Sequence, residues 1–257
     1  MNADEAQPTR LLLDRFIADA GRAVPLEAVW AHGSLALGDY RPGRSDLDLV
    51  TLVETPVSDH QKRQLSLVHR ALIRDVPMAA KLHCSYVVRS QLPDAGRDHV
   101  TWAHGRLFER PVTPVSRREL STGGLSLFGP EPAGLVAEVS DRELAEFIRG
   151  DLRSYWYPAS AKPVRWLRDI WVDLGLLTLA RASVTLRDGR LITKGQALEV
   201  LAAELGAPAE VVGDIRHRRY GADPRPASLP WRIRRGRLAR VFVRAGIERT
   251  LSQQPGT

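Results

Sequence analysis

Residues 32–52 read HGSLALGDYRPGRSDLDLVTL, and this stretch constrains the fold more than any other. The apolar run over residues 26–31 predicts a short strand that ends at Gly33-Ser34. A short helix or turn follows. A second strand then starts with Asp46-Leu47-Asp48 inside DLDLVTLVE, residues 46–54, bounded by Pro42-Gly43 before and Pro56 after. Strand side chains alternate between faces, so Asp46 and Asp48 project together while Leu47 and Leu49 turn to the core. Neighbouring carboxylates repel each other, and a divalent cation removes that cost. Hard oxygen donors of this kind suit Mg²⁺ held alongside substrate phosphates. Gly33 lets the backbone come close to a phosphate, Ser34 offers a hydroxyl, and free N–H groups at the start of the following helix add anion donors. Asp-x-Asp alone is commonly a solvated strand end, and Gly-Ser alone a turn. Together on consecutive strands they specify a phosphate and metal site.

The surrounding pattern is α/β. Leu11, Leu12, Phe16, Ile17 and Ala20 recur at helical spacing, with Gly21 as a stop. Ser58-Asp59 caps a helix whose apolar face is Leu65, Val68, Leu72 and Ile73. Residues 82–88 and 125–128 are further strands, the latter closed by Gly129-Pro130. Strands separated by helices indicate an α/β domain. From about residue 133 the pattern is helical: residues 141–157, 164–186, 196–205, 209–220 and 231–251. The expected division is therefore an α/β domain over residues 1–132 and an all-α domain over 133–257.

Composition excludes several classes. The chain has 257 residues, 44% of them hydrophobic, enough to bury a core, and no apolar run approaches the ~18 residues of a membrane span. The opening MNADEAQPTR has two acids and no apolar core, so a signal peptide is not expected. Cys84 is the only cysteine, which excludes an intrachain disulfide and makes the cytoplasm the expected compartment. The net charge of +7 suits phosphorylated substrates or nucleic acid, and equally suits mere solubility. Only four of the 37 cations are Lys, a bias that codon usage explains as readily as a ligand does.

Gly33-Ser34 followed by Asp46-x-Asp48 resembles the signature of the polymerase-β-type nucleotidyltransferase superfamily. Within it, the chain resembles the bacterial aminoglycoside adenylyltransferases that modify streptomycin and spectinomycin. Three further blocks carry the likeness: Leu177-Thr178-Leu179-Ala180-Arg181, Gly189-Arg190-Leu191-Ile192-Thr193-Lys194, and Arg216-His217-Arg218-Arg219-Tyr220-Gly221. The resemblance implies a nucleotidyltransferase domain with a mixed sheet and flanking helices, followed by a helical domain that completes the nucleotide and acceptor site. It implies ATP and Mg²⁺, in-line attack of a drug hydroxyl on the α-phosphorus, and release of pyrophosphate. By resemblance Asp46 and Asp48 are the metal ligands, Gly33, Ser34 and Ser45 lie by the phosphates, and Arg181, Lys194 and Tyr220 contact the nucleotide. From the residues alone, Thr193-x-x-Gln196 is a capping-box pattern that puts Lys194 in the first turn of a helix, where its ammonium adds to the helix dipole. The implied protein is a cytoplasmic bacterial monomer acting in antibiotic resistance, with a small hydroxylated cation as acceptor and neither membrane nor nucleic acid as partner.

The chain departs from the family pattern where a Glu serves as general base on a later strand; His83 stands there. Three readings compete. His83 is the base, histidine being the commonest general base in enzymes; or the acceptor needs no strong base; or the protein only binds nucleotide, as a sensor or regulatory partner. An acceptor-contacting Trp of the family corresponds to Trp102. At the place of its drug-gripping Asp this chain has Trp171, with Asp169 and Asp173 two residues to either side, and Asp173 is the acceptor candidate. A protein or RNA acceptor is a further alternative, favoured by the seven Arg between residues 231 and 249. Their alternation with apolar residues predicts an amphipathic helix with a basic, solvated outer face. His99 and His104 flank Trp102 without zinc-ligand spacing.

Overall fold

The computed structural model describes residues 3–221 and 227–252, and the chain divides into two compact units, residues 1–139 and 140–257.

The first unit is a six-stranded mixed sheet in the order β5-β4-β3-β2-β1-β6. Its strands are β1 (Leu26–His32), β2 (Leu47–Val53), β3 (Leu82–Val88), β4 (Asp98–Ala103), β5 (Arg106–Pro111) and β6 (Leu125–Phe128). The helices are α1 (Ala3–Ala23), α2 (Gly33–Ala36), α3 (Asp59–Asp75) and α4 (Pro114–Gly123). β2 and β3 are the one parallel pair among these strands; the other neighbours run antiparallel. Parallel strands need a crossover, and α3 supplies it. A capping box between Ser58 and Gln61 starts α3, where the sequence places a cap at Ser58-Asp59. α1 runs two residues past the expected stop at Gly21.

The period-2 alternation sorts the two faces. Leu47, Leu49 and Val53 of β2 pack with Leu82, Cys84 and Tyr86 of β3 against Leu12 and Phe16 of α1 and Leu65 and Leu72 of α3. Val50, Leu52, Trp30 and Val87 form the other face, with Leu120 of α4. The β4–β5 hairpin and α4 have no counterpart in the sequence reading. The hairpin turns on His104 and Gly105, with φ of +53° and +76°. Positive φ at both central residues is the two-residue hairpin turn whose twist matches its strands. Thr113 caps α4 and Pro114 opens it, a placement that suits a residue lacking an N–H.

The second unit is helical: α5 (Asp141–Asp151), α6 (Tyr157–Ser160), α7 (Asp169–Asp188), α8 (Lys194–Ala203), α9 (Ala209–Tyr220) and α10 (Leu229–Ser252). The single helix expected over residues 141–157 is interrupted by a π-helical turn, Leu152–Trp156. Trp166 is fully buried between α7 and α10. A Cβ on Gly175 would lie 2.6 Å from its ring, and one on Gly236 would lie 2.5 Å from its carbonyl oxygen, so both positions need glycine for the approach. Arg235 corrects the expected basic outer face of α10. Its side chain is 0% exposed and pairs with Asp214 at 2.9 Å and with Asp169. Among the described residues no helix is long and apolar enough to cross a membrane.

Candidate active site

Strand register builds the site in the first unit. His32 lies opposite Asp48 across the β1–β2 pair, and Asp48 lies beside His83 across the β2–β3 pair. The three residues form a row on the face of the sheet that α4 covers. Asp46 is two residues before Asp48 and so projects to the same side. His83 Nδ1 is 3.5 Å from Asp48 Oδ1, and Lys81 Nζ is 3.4 Å from Asp46 Oδ1. Each carboxylate thus has a side-chain nitrogen beside it. The His104 ring meets His83 edge-on at 4.9 Å. Burial, then the neighbouring His83, lowers the His104 pKa.

The turn after β1 meets the same face. Gly33 has φ of +63°, and a Cβ there would sit 3.0 Å from Asp48 Oδ2. The Ser34 hydroxyl donates to the Asp46 carbonyl at 3.3 Å. α2 is a single turn, so the dipole expected behind its first amides is small. Ser45 is 1% exposed, and its Oγ accepts from the Arg41 N–H at 3.0 Å. It braces the loop that delivers Asp46.

His32 and Glu119 are site residues that the sequence reading missed. His32 Nδ1 and Glu119 Oε2 are 2.8 Å apart, with side chains 12% and 6% exposed. Burial works against a charge on His32, but the bond to Glu119 and the nearby Asp48 carboxylate hold its imidazole above the usual histidine range. Lys81 was also missed, although its place two residues before His83 is a readable signal.

Trp102 requires a correction. It lies opposite Cys84 in the β3–β4 register and is 1% exposed. Cys84 belongs to the core on the α1 and α3 side of the sheet. Trp102 therefore points away from Asp48, and its indole stacks on His69 at 4.6 Å. No face of it is left for an acceptor.

In the second unit, Arg181 Nε donates to the Ile192 carbonyl at 2.9 Å and so braces the loop two residues before Lys194. Lys194 opens α8 behind the capping box of Thr193 and Gln196. Tyr220 closes α9, and its hydroxyl accepts from Arg219 Nε at 3.1 Å. Asp173 is bound by Arg218, which also binds Asp214. Burial raises the Asp173 pKa against the opposing pull of Arg218. That engagement places Asp173 in the α7–α9 ion network. At Trp171 the ring carries the Arg165 guanidinium 4.7 Å from its centroid, with Tyr155 stacked alongside at 6.1 Å.

Residues 13–96, which hold the Gly33-Ser34 turn and both carboxylates, match the sequence model of the nucleotidyltransferase domain. The chain carries a nucleotidyltransferase domain. It is an enzyme of that kind. The crystal structure of spectinomycin adenyltransferase AAD(9) from Enterococcus faecialis with ATP and spectinomycin superposes with a TM-score of 0.68 at 14% identity, covering 96% of this chain and 100% of that one. At that identity the likeness is one of fold: the same succession of mixed sheet and helices. No curated protein matches the chain in sequence.

The donor set of the nucleotidyltransferase domain fits Mg²⁺. Asp46 and Asp48 offer hard oxygens on one face, and the absent Gly33 side chain leaves open the space beside Asp48 Oδ2. Among the described residues no three His, Cys, Asp or Glu side chains cluster as a cage for a metal. Two carboxylates with phosphate oxygens and water completing the shell is the arrangement Mg²⁺ favours over an all-protein cage.

Proposed function

We propose that the chain is an ATP- and Mg²⁺-dependent adenylyltransferase that moves AMP to a hydroxyl of a small, cationic, aminoglycoside-like acceptor. The observation that carries this reading is the Gly33-Ser34 turn set against Asp46 and Asp48 on one face of β2. In this reading the Gly33-Ser34 turn receives the phosphates, and Asp46 and Asp48 hold Mg²⁺. A metal held by these two carboxylates would supply charge neutralisation for the leaving pyrophosphate. Arg181, Lys194 and Tyr220 of the helical unit, residues 133–257 in this division, are assigned to the nucleotide. The acceptor oxygen attacks the α-phosphorus in line, the bond to pyrophosphate breaks, and His83 takes the hydroxyl proton. Little covalent work falls to the protein, so positioning and charge neutralisation supply most of the rate. Burial takes Trp102 out of the acceptor's reach, and Asp173, beside Arg218, stays the candidate for the acceptor's amine. Acceptor recognition in this reading draws on side chains other than Trp102. We further assign the protein to the bacterial cytoplasm, as a monomer acting in antibiotic resistance.

The test uses ATP labelled at the α-phosphate, Mg²⁺, and a panel that includes streptomycin and spectinomycin. Expected are one labelled adduct and one pyrophosphate per transfer, and none with Asp48→Asn. Full transfer by Asp48→Asn would overturn the reading. So would an absence of labelled product with every hydroxylated cation offered to the folded wild type.

A further inference from the structure

The bond between His32 and Glu119 has no place in the reaction as so far described, yet it joins two buried ionisable groups at the edge of the site. His32 ends β1 and directly precedes Gly33-Ser34. Its neighbour across the ladder is Asp48, whose other neighbour is His83. The two histidines therefore flank Asp48 from opposite sides. His83 stands on the side of Lys81, and His32 on the side of the Gly33-Ser34 turn. They share a residue type but not a setting, and the setting separates their roles.

Glu119 reaches His32 from α4, where Thr113 caps the helix and Leu120 packs into the core beside Trp30. Anchored in this way, the carboxylate fixes the ring through Nδ1 at 2.8 Å. That leaves Nε2, on the opposite edge of the ring, as the bonding atom the pair can offer. In an ion pair with a carboxylate the imidazole carries a proton on both nitrogens, so Nε2 is a donor. The His32 side chain as a whole keeps 12% exposure. Orientation of one imidazole nitrogen by a carboxylate on the other is the standard way a protein fixes a histidine towards a ligand.

We propose that His32 donates from Nε2 to a non-bridging oxygen of the β- or γ-phosphate of the bound nucleotide, and that Glu119 is the positioning residue that holds it there. The proposal rests on the nucleotide reading above and adds a phosphate donor on the leaving-group side of Asp48. Glu119 acts through His32 and touches no substrate atom. The contact is made to the part of ATP that leaves, so it discriminates between a triphosphate and a monophosphate.

That discrimination is the test. The full chain is titrated by calorimetry, in Mg²⁺, with AMP and with α,β-methylene-ATP, whose α–β linkage the transfer reaction does not cleave. His32→Gln is expected to weaken the triphosphate analogue about 10- to 100-fold, the range of a charge-assisted hydrogen bond. AMP affinity should stay within about twofold of wild type, which also reports that the variant is folded. Glu119→Ala should match His32→Gln. Glu119→Gln should lose nearly as much, because a neutral ring that donates from Nδ1 to an amide oxygen presents Nε2 as an acceptor. Unchanged binding of the analogue by His32→Gln overturns the proposal and leaves the nucleotidyltransferase reading standing. Parallel weakening of AMP and the analogue also overturns it, since that is the mark of a merely structural role. A wild type that binds neither nucleotide overturns both.

Discussion

Gly33 and Asp48 stand so close across β1 and β2 that a methyl group on the glycine would lie 3.0 Å from the aspartate Oδ2, and Gly33 holds φ of +63°. Two independent constraints thus meet at one residue. An L side chain in that conformation costs about 1–2 kcal/mol, and relief of the contact moves a carboxylate assigned to the metal. Gly33→Ala is expected to lower the unfolding free energy by that amount and to reduce AMP transfer by more than the stability change explains. The pair of measurements is a denaturant titration and a turnover assay in saturating Mg²⁺. Wild-type turnover in the alanine variant would show that Asp48 is free to shift without consequence.

His69 gives the fold a dependence on pH. It is 2% exposed, stacks on Trp102 and hydrogen-bonds the Tyr86 hydroxyl at 2.9 Å. Burial pushes its pKa down to about 3. Unfolded, the imidazole returns to about 6.5. Between these values the unfolded state binds the extra proton, so stability is present above the unfolded pKa and is lost as pH falls from about 6.5 towards 3. The slope attributable to this residue approaches about 1.4 kcal/mol per pH unit. Urea midpoints taken from pH 7 to 4 should fall less steeply in His69→Phe than in wild type. Equal slopes would assign the acid sensitivity to other groups.

Arg235 is the corresponding test in the helical unit. It is fully buried, with Asp214 at 2.9 Å and Asp169 as a second partner. Removing Arg235 leaves Asp214 with Arg218 and takes the Arg235 bond from the half-exposed Asp169, and the lost charge-assisted bonds cost about 1.5–3 kcal/mol. Arg235→Ala should lose stability in that range by chemical denaturation, whereas Arg237→Ala, on the exposed side of the same helix, should change it by less than about 0.5 kcal/mol. Similar losses in both would mean that burial of Arg235 contributes little.

What the sequence reveals and hides at this site follows from the range of each interaction. Asp46 and Asp48 are legible because a strand's period of two is local, and Leu47 and Leu49 between them mark which face is the core. Trp102 misleads because its face depends on how β4 registers against β3, and no residue near it states that register. Glu119 is invisible for a similar reason: its meaning comes from His32, 87 residues away. Arg235 was legible in principle. It lies on one stripe with Gly236, Ala239, Val243 and Gly246, the buried positions of α10, at the spacing of a helix face. The number of arginines in that segment obscured the stripe.

Lys194 tests the assignment of the helical unit to the nucleotide. Its place at the first turn of α8 is set by the Thr193–Gln196 capping box. A cation there that meets a phosphate contributes about 1.5–3 kcal/mol. Lys194→Ala should weaken ATP binding by that amount in calorimetry and leave the unfolding midpoint nearly unchanged, since the cap itself is intact. ATP affinity equal to wild type would remove Lys194 from the nucleotide site.

His83 carries the departure from the family pattern, and its variants separate two ways in which it could matter. It stands 3.5 Å from Asp48 on the face that presents both carboxylates. As the base that takes the acceptor's proton, it supplies a step that no other residue in the row is placed to replace. His83→Ala should then lose about 10²–10⁴-fold in turnover, the usual contribution of general base catalysis. ATP affinity and the Mg²⁺ concentration for half-maximal rate should change little. His83→Glu should recover part of the loss, because a carboxylate on the same strand face can also accept the proton. If His83 instead serves to hold Asp48, the alanine variant will need more Mg²⁺ and will regain turnover when Mg²⁺ is raised. The deciding measurement is turnover against Mg²⁺ at saturating ATP for wild type and both variants. Recovery at high Mg²⁺, or wild-type turnover in His83→Ala, would remove the base from His83.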